Sequence, residues 1–133
     1  MNLYLDSSAL VKRYVAELGS NEVTQAMDEA EAWSSCQVAF VETFRAVGLR
    51  AGLPGTRRVE REWPSVDVIP LDRELVRHAA TLAVATGLRA LDAMHLAAAL
   101  SLPLASTIFA TWDRRLHRAA RERGLRTLPV ALD

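Results

Sequence analysis

The sequence predicts an α/β fold in which a parallel sheet is covered on both faces by helices. Two observations point there. Short apolar runs recur along the chain, from Asn2–Leu5 to the stretch ending at Thr111, and read as buried strands. Between them lie longer segments with apolar residues at helical spacing, punctuated by glycine or proline. The 133 residues suit one compact domain over positions 1–133, and 50% of them are hydrophobic, enough for a substantial core. No internal repeat or low-complexity linker interrupts the pattern.

Asn2 to Leu5 is the first expected strand. Ser7 or Ser8 offers a capping hydroxyl for a helix through about Val15, which Gly19 stops. Ser20 is a second cap, with Val23, Ala26, Met27 and Ala30 on one face of the next helix. Trp33 to Val38 reads as a second strand. A helix from about Ala39 carries Phe40, Phe44, Val47 and Ala51 as its core stripe. Gly52 to Gly55 turns the chain, and a short Arg- and Glu-rich helix ends before Pro64. Val66 to Pro70 is the third strand. Asp72 caps a helix to Gly87, with Leu75, Ala79, Leu82 and Ala83 inward. Asp92 starts another helix, which ends before Pro103. Leu104 to Thr111 is the fourth strand, Asp113 to Arg123 a helix closed by Gly124, and Thr127 to Val130 a short last strand.

The formal net charge is zero, which excludes a globally basic nucleic-acid binder. The charges are segregated, however. Those from Glu17 to Glu31 are all acidic, and those from Arg114 to Arg126 are all basic except Glu122. Lys12 is the only lysine; the other cations are arginines, which pair with phosphate in a bidentate way. Cys36 is the only cysteine, so neither an internal disulfide nor a thiolate zinc site is expected. Asp6 interrupts the first apolar run and Lys12-Arg13 follow it, the reverse of a signal peptide. Leu88 to Ala110 is very apolar, but Arg89, Asp92, His95 and Pro103 break it, so no membrane span is expected. A cytoplasmic location fits these features.

Four acids stand isolated in apolar sequence: Asp6, Glu42, Asp92 and Asp113. Removing a carboxylate from water costs several kcal/mol or more, so such residues need partners. A shared divalent cation is the simplest common partner, because hard cations take oxygen ligands. Asp6 and Asp113 each lie just past an expected strand, and the carboxyl ends of parallel strands form a ligand crevice. Asp92 falls at a helix N-terminus, and Glu42 in the first turns of a helix, on the side shared with Arg45 and Leu49. Each also has an ordinary reading. Asp92 and Asp113 suit plain N-caps, Glu42 a solvated helix face, and Asp6 a cap. Convergence of the four requires the first and fourth strands to be neighbours. His95, one turn beyond Asp92, is expected to be structural, as are Trp33 and Trp63; Trp112 is the exception, since it adjoins Asp113 and could stack on a base. His78 and His117 are expected at the surface.

The set of motifs resembles the PIN-domain nucleases, and most closely the VapC toxins of bacterial toxin–antitoxin pairs. Residues 5 to 14, Leu-Asp-Ser-Ser-Ala-Leu-Val-Lys-Arg-Tyr, look like the family's first motif. Ser35 through Ala46, with Glu42, looks like the second. Leu91 through Ala99 looks like the third, and Ala110 through Leu116 the fourth, a Ser/Thr-x-Asp pattern. Ser7 stands where the family commonly has threonine. Arg114 follows Asp113 where some relatives carry another polar or acidic group.

The resemblance implies a three-layer α/β/α sandwich around a parallel sheet in strand order 3-2-1-4-5, with Asp6 and Asp113 on adjacent strands. It implies Mg²⁺- or Mn²⁺-dependent RNA cleavage, with Asp6, Glu42, Asp92 and Asp113 as catalytic and metal-binding residues. Ser8 and Thr111 would orient the acids or meet the scissile phosphate, and Arg45, Arg114 and Arg115 would contact RNA. A cognate VapB-type antitoxin and a homodimer are the expected partners. Two alternatives stay open: a non-catalytic module that keeps the fold, and a nuclease outside any toxin–antitoxin pair.

Overall fold

The computed structural model describes residues 1–133. Five strands form one sheet: β1 (Asn2–Leu5), β2 (Ala32–Cys36), β3 (Val66–Ile69), β4 (Thr107–Ala110) and β5 (Arg126–Leu128). Six helices connect them: α1 (Ser7–Tyr14), α2 (Ser20–Glu29), α3 (Val38–Glu62), α4 (Arg73–Thr86), α5 (Ala90–Leu100) and α6 (Arg114–Glu122). Every strand pair is parallel and the order is β3-β2-β1-β4-β5. This is the expected three-layer arrangement.

Side-chain alternation along the central strands divides the core. Leu3, Leu5 and Ala110 pack with Leu10, Val23 and Met27 of α1 and α2. Tyr4 and Phe109 face the other way, into a larger cluster with Leu75 and Leu82 of α4, Leu96 of α5 and Leu116 of α6. α3 joins the first layer by packing Val47 and Val59 against Val11. Right-handed crossovers explain the partition. The chain moves outward from β1 to β3 with its helices on one face, then returns across the other face to β4. The direction reverses between β1 and β4, and the carboxyl ends of those strands are where α/β sheets bind ligands.

Several element ends differ from expectation. The cap of α1 is Asp6, whose Oδ1 accepts from the Ala9 N–H at 2.9 Å, not Ser7 or Ser8. Ser20 does not cap α2; Gly19 holds that position at φ 94°, and the Ser20 hydroxyl donates to Val15 O. β2 stops at Cys36 because Gln37 already has helical backbone angles. The fourth strand is shorter than expected, since Leu104–Ser106 forms a 3₁₀ turn. β5 pairs from Arg126 to Leu128, and Pro129, lacking an N–H, cannot extend the ladder. α3 breaks at Gly52 (φ 64°, ψ −157°), as the turn signal implied. Its inward rail is Ala39, Thr43 and Val47; Phe40 and Phe44 flank it, and Ala51 is exposed. α5 begins at Ala90, two residues before Asp92. His117, expected at the surface, is buried and hydrogen-bonds Pro129 O at 2.7 Å. No single helix is long and apolar enough to cross a membrane.

Candidate active site

Asp6 is the centre of the site and is only 3% exposed. The β1 ladder continues into it, its N–H donating to Ala110 O at 3.2 Å. Two hydroxyls hold its carboxylate. Ser8 Oγ donates to Oδ1 at 2.7 Å and accepts the Trp112 N–H at 2.9 Å. Thr111 Oγ1 donates to Oδ2 at 2.6 Å and accepts the Asp113 N–H at 3.1 Å. Each hydroxyl therefore takes one N–H from the segment after β4 and gives its proton to one oxygen of Asp6. The structure thus locks the end of β1 to the end of β4.

Asp113 is the N-cap of α6. Its Oδ1 accepts the Leu116 N–H at 2.8 Å, and its Oδ2 has no protein partner. Asp92 is half-buried in the first turn of α5, with neither oxygen hydrogen-bonded. Glu42 comes in from α3, its Oε1 lying 3.0 Å from His95 Nε2. Arg45 and Leu49 share its side of the helix but are exposed.

Electrostatics show that the four share one neighbourhood. Burial raises the Asp92 pKa, and the charges of Asp113, Asp6 and Glu42 raise it further, while His95 opposes them. Burial also raises the Asp6 pKa; the charge of His95 and the hydrogen bonds from Thr111, Ser8 and the Ala9 N–H offset part of this. Asp6, Asp92 and Asp113 have no ion-pair partner. Apart from the charge of His95, which pairs with Glu42, no countercharge faces these hard, anionic oxygens, and such a cluster fits a divalent cation. No three of these side chains are close enough to form a ready-made cage.

Among the basic candidates, Arg45 and Arg114 are exposed and free of ion pairs. Arg115 is exposed too, but it donates to Gly87 O at 3.0 Å, tying α6 to the α4–α5 turn. Lys12 is buried, with Nζ donating to Glu17 Oε1 (3.0 Å) and Leu18 O (2.7 Å) beneath the Trp112 ring. Trp112 closes against Gly19, where a Cβ would stand 2.8 Å from its ring. Trp33 donates to Met27 O, and Trp63 packs edge-on against Phe40. Tyr4 and Cys36 were not singled out from the sequence as site neighbours, yet both reach His95. The signal available was the tyrosine itself, since a buried Tyr hydroxyl needs a partner.

The family model described as PIN domain matches residues 3–122. Ribonuclease VapC45 of Mycobacterium tuberculosis (strain CDC 1551 / Oshkosh) is 34% identical, with 98% of this chain and 97% of that one covered. Ribonuclease VapC47 of the same strain is 36% identical, with 94% of each covered. A toxin-antitoxin complex from Klebsiella pneumoniae contains a chain of the same fold, at TM-score 0.67 and 15% identity, with 84% and 86% covered. With its sheet order, its full-length relatives and its family match in agreement, the chain belongs to the PIN-domain family, as a member of the VapC type.

Proposed function

We propose that this protein is a metal-dependent endoribonuclease and the toxin of a VapBC-type pair, built as a single PIN domain. One observation carries the reading: the carboxylates of Asp6, Glu42, Asp92 and Asp113 share one neighbourhood at the sheet's switch point, and none of the three aspartates has an ion-pair partner. Asp6, Asp92 and Asp113 would hold Mg²⁺ or Mn²⁺, and Glu42 would act through a water. Such an ion lowers the pKa of bound water and neutralises charge gathering on a phosphate.

The chain's own residues set the geometry for this. Ser8 and Thr111 fix both oxygens of Asp6, leaving Oδ2 a lone pair free. The capping bond fixes Asp113 through Oδ1 and leaves Oδ2 available. Arg45 and Arg114, exposed and without ion pairs, would meet the RNA backbone together with Arg115. Water adds to phosphorus and the P–O3′ bond breaks, leaving a 5′-phosphate and a 3′-hydroxyl. The names of the VapC relatives support RNA as substrate. The toxin-antitoxin neighbour supports a VapB-type antitoxin as partner. The apolar residues Val41, Leu49 and Leu53, exposed along α3, offer surface for that partner or for a second copy of this chain.

The test is Asp6→Asn, assayed for RNA cleavage with Mg²⁺ or Mn²⁺. The expected loss is at least about 100-fold, beyond what removing an outer-shell partner costs. Undiminished cleavage by the folded variant would overturn the mechanism.

A further inference from the structure

The acids leave one group of polar residues unexplained, sealed behind Glu42. Tyr4 of β1, Cys36 of β2 and His95 of α5 are all fully buried, His95 at 1% exposure. Three elements bring them together around one imidazole. Tyr4 Oη lies 2.8 Å from His95 Nδ1, Cys36 Sγ lies 3.6 Å from the same nitrogen, and Nε2 lies 3.0 Å from Glu42 Oε1.

We infer that His95, held by Tyr4, is a positioning residue that fixes the Glu42 carboxylate at the edge of the acid cluster. The inference rests on the cation-site reading above and adds a role for residues outside it. The Glu42 carboxylate can only accept, so in the neutral ring the proton sits on Nε2 and Nδ1 accepts from Tyr4 Oη. In the imidazolium form Nε2 carries a proton as well. Glu42 Oε1 therefore receives a hydrogen bond in either state.

The ring is itself held in place. Tyr4 meets it edge-on, with centroids 5.9 Å apart, and Tyr4 stacks on Phe109 at 5.3 Å and 11°. Glu42, by contrast, has three side-chain torsions, is half-buried and has no other hydrogen-bond partner. One rigid donor selects one orientation for it and leaves Oε2 free. His95 also stands one turn from Asp92 on α5. The helix that delivers one acid directly thus orients a second, from α3, through His95. Glu42 acts through a water, so its fixed orientation sets where that water is held, and polar groups around a metal's ligands tune its affinity.

The test titrates Mn²⁺ by calorimetry into the RNA-free protein and measures kcat and KM for RNA cleavage in parallel. The variants are His95→Gln, His95→Leu and Tyr4→Phe, with Asp6→Asn as control. Gln can keep an N–H toward Glu42, so His95→Gln retains most of the Mn²⁺ affinity. His95→Leu loses about 10- to 100-fold in affinity and in kcat, with KM for RNA unchanged. Tyr4→Phe, which keeps the ring stacked on Phe109, falls between them. Equal affinity and kcat in His95→Gln, His95→Leu and wild type would overturn the positioning role, whatever their melting temperatures. Should His95→Leu fail to fold, wild-type Mn²⁺ affinity and kcat in Tyr4→Phe would overturn it. Unchanged Mn²⁺ binding in Asp6→Asn would instead overturn the cation site itself.

Discussion

Thr111 carries two duties with one hydroxyl, donating to Asp6 Oδ2 and accepting from the Asp113 N–H. Thr111→Val keeps the shape and removes both bonds. The carboxylate then loses one of its anchors, and a backbone N–H beside it loses its acceptor. The expected cost is about 1–3 kcal/mol in stability, since partly sheltered polar groups are left unpaired. Cleavage should fall by about 10-fold or more. Thermal melting and steady-state kinetics on the purified variant measure both; a drop in neither contradicts the role assigned to Thr111. At this scale the sequence showed the acids clearly, because a charge in apolar surroundings stands out. It could not choose between cap and site for Asp6 and Asp113, and the structure shows each making a capping bond while facing the cluster. The environment of His95 stayed hidden, because Tyr4 and Cys36 read as ordinary core residues of two separate strands.

Among the elements, α1 is the one most firmly tied to its neighbours across the first layer. Arg13 makes a two-pronged pair with Glu62 of α3, Nε to Oε1 at 3.0 Å and Nη2 to Oε2 at 2.9 Å. α1 also begins at Asp6, so this clamp steadies the helix that follows the central acid. The hydrogen bonds from Arg13 hold the Glu62 pKa below its ordinary 4.5, with burial opposing them. A carboxylate with a depressed folded-state pKa stabilises the protein above its unfolded pKa. That contribution is lost as pH falls through the lower folded value. Glu62→Gln should therefore cost about 1–2 kcal/mol at pH 7, and the difference from wild type should vanish in strong acid. Denaturant titrations of both proteins from pH 7 down to pH 3 check this. A constant difference across that range would contradict it. The order and type of the elements were legible from periodicity and from Gly and Pro punctuation. Their ends were not. β4 is shortened by a 3₁₀ turn, and β5 starts one residue earlier and ends two earlier than expected, because strand ends are set by pairing between distant segments.

For the whole molecule, lateral strand order decides whether there is a site at all. Local periodicity carries no information about which strands lie side by side, so the order came from family resemblance. The structure then places β1 beside β4, in register from Asn2↔Thr107 to Leu5↔Ala110. That register brings Asp6 level with Thr111 and Asp113 at the switch point. The acids gathered there repel one another and work against the stability of the fold. The raised Asp92 pKa reflects burial and then the charges of Asp113 and Asp6. A raised carboxylate pKa means the penalty is complete above the folded value and disappears as pH falls below the unfolded one. Asp92→Asn should thus raise the melting temperature of metal-free protein by a few degrees at pH 7. Mg²⁺ should raise it in wild type, by binding the folded state, and much less in the variant. Equal responses to Mg²⁺ in both would remove Asp92 from the cation site.

Asp6, Asp92 and Asp113, from separate parts of the chain, are proposed to hold a hard cation jointly. Diffraction from crystals soaked in Mn²⁺, recorded for its anomalous signal, addresses that claim most directly. A peak flanked by Asp6, Asp92 and Asp113 is expected. Protein that cleaves RNA with Mn²⁺ yet shows no peak there, or one bound elsewhere on the surface, would contradict it.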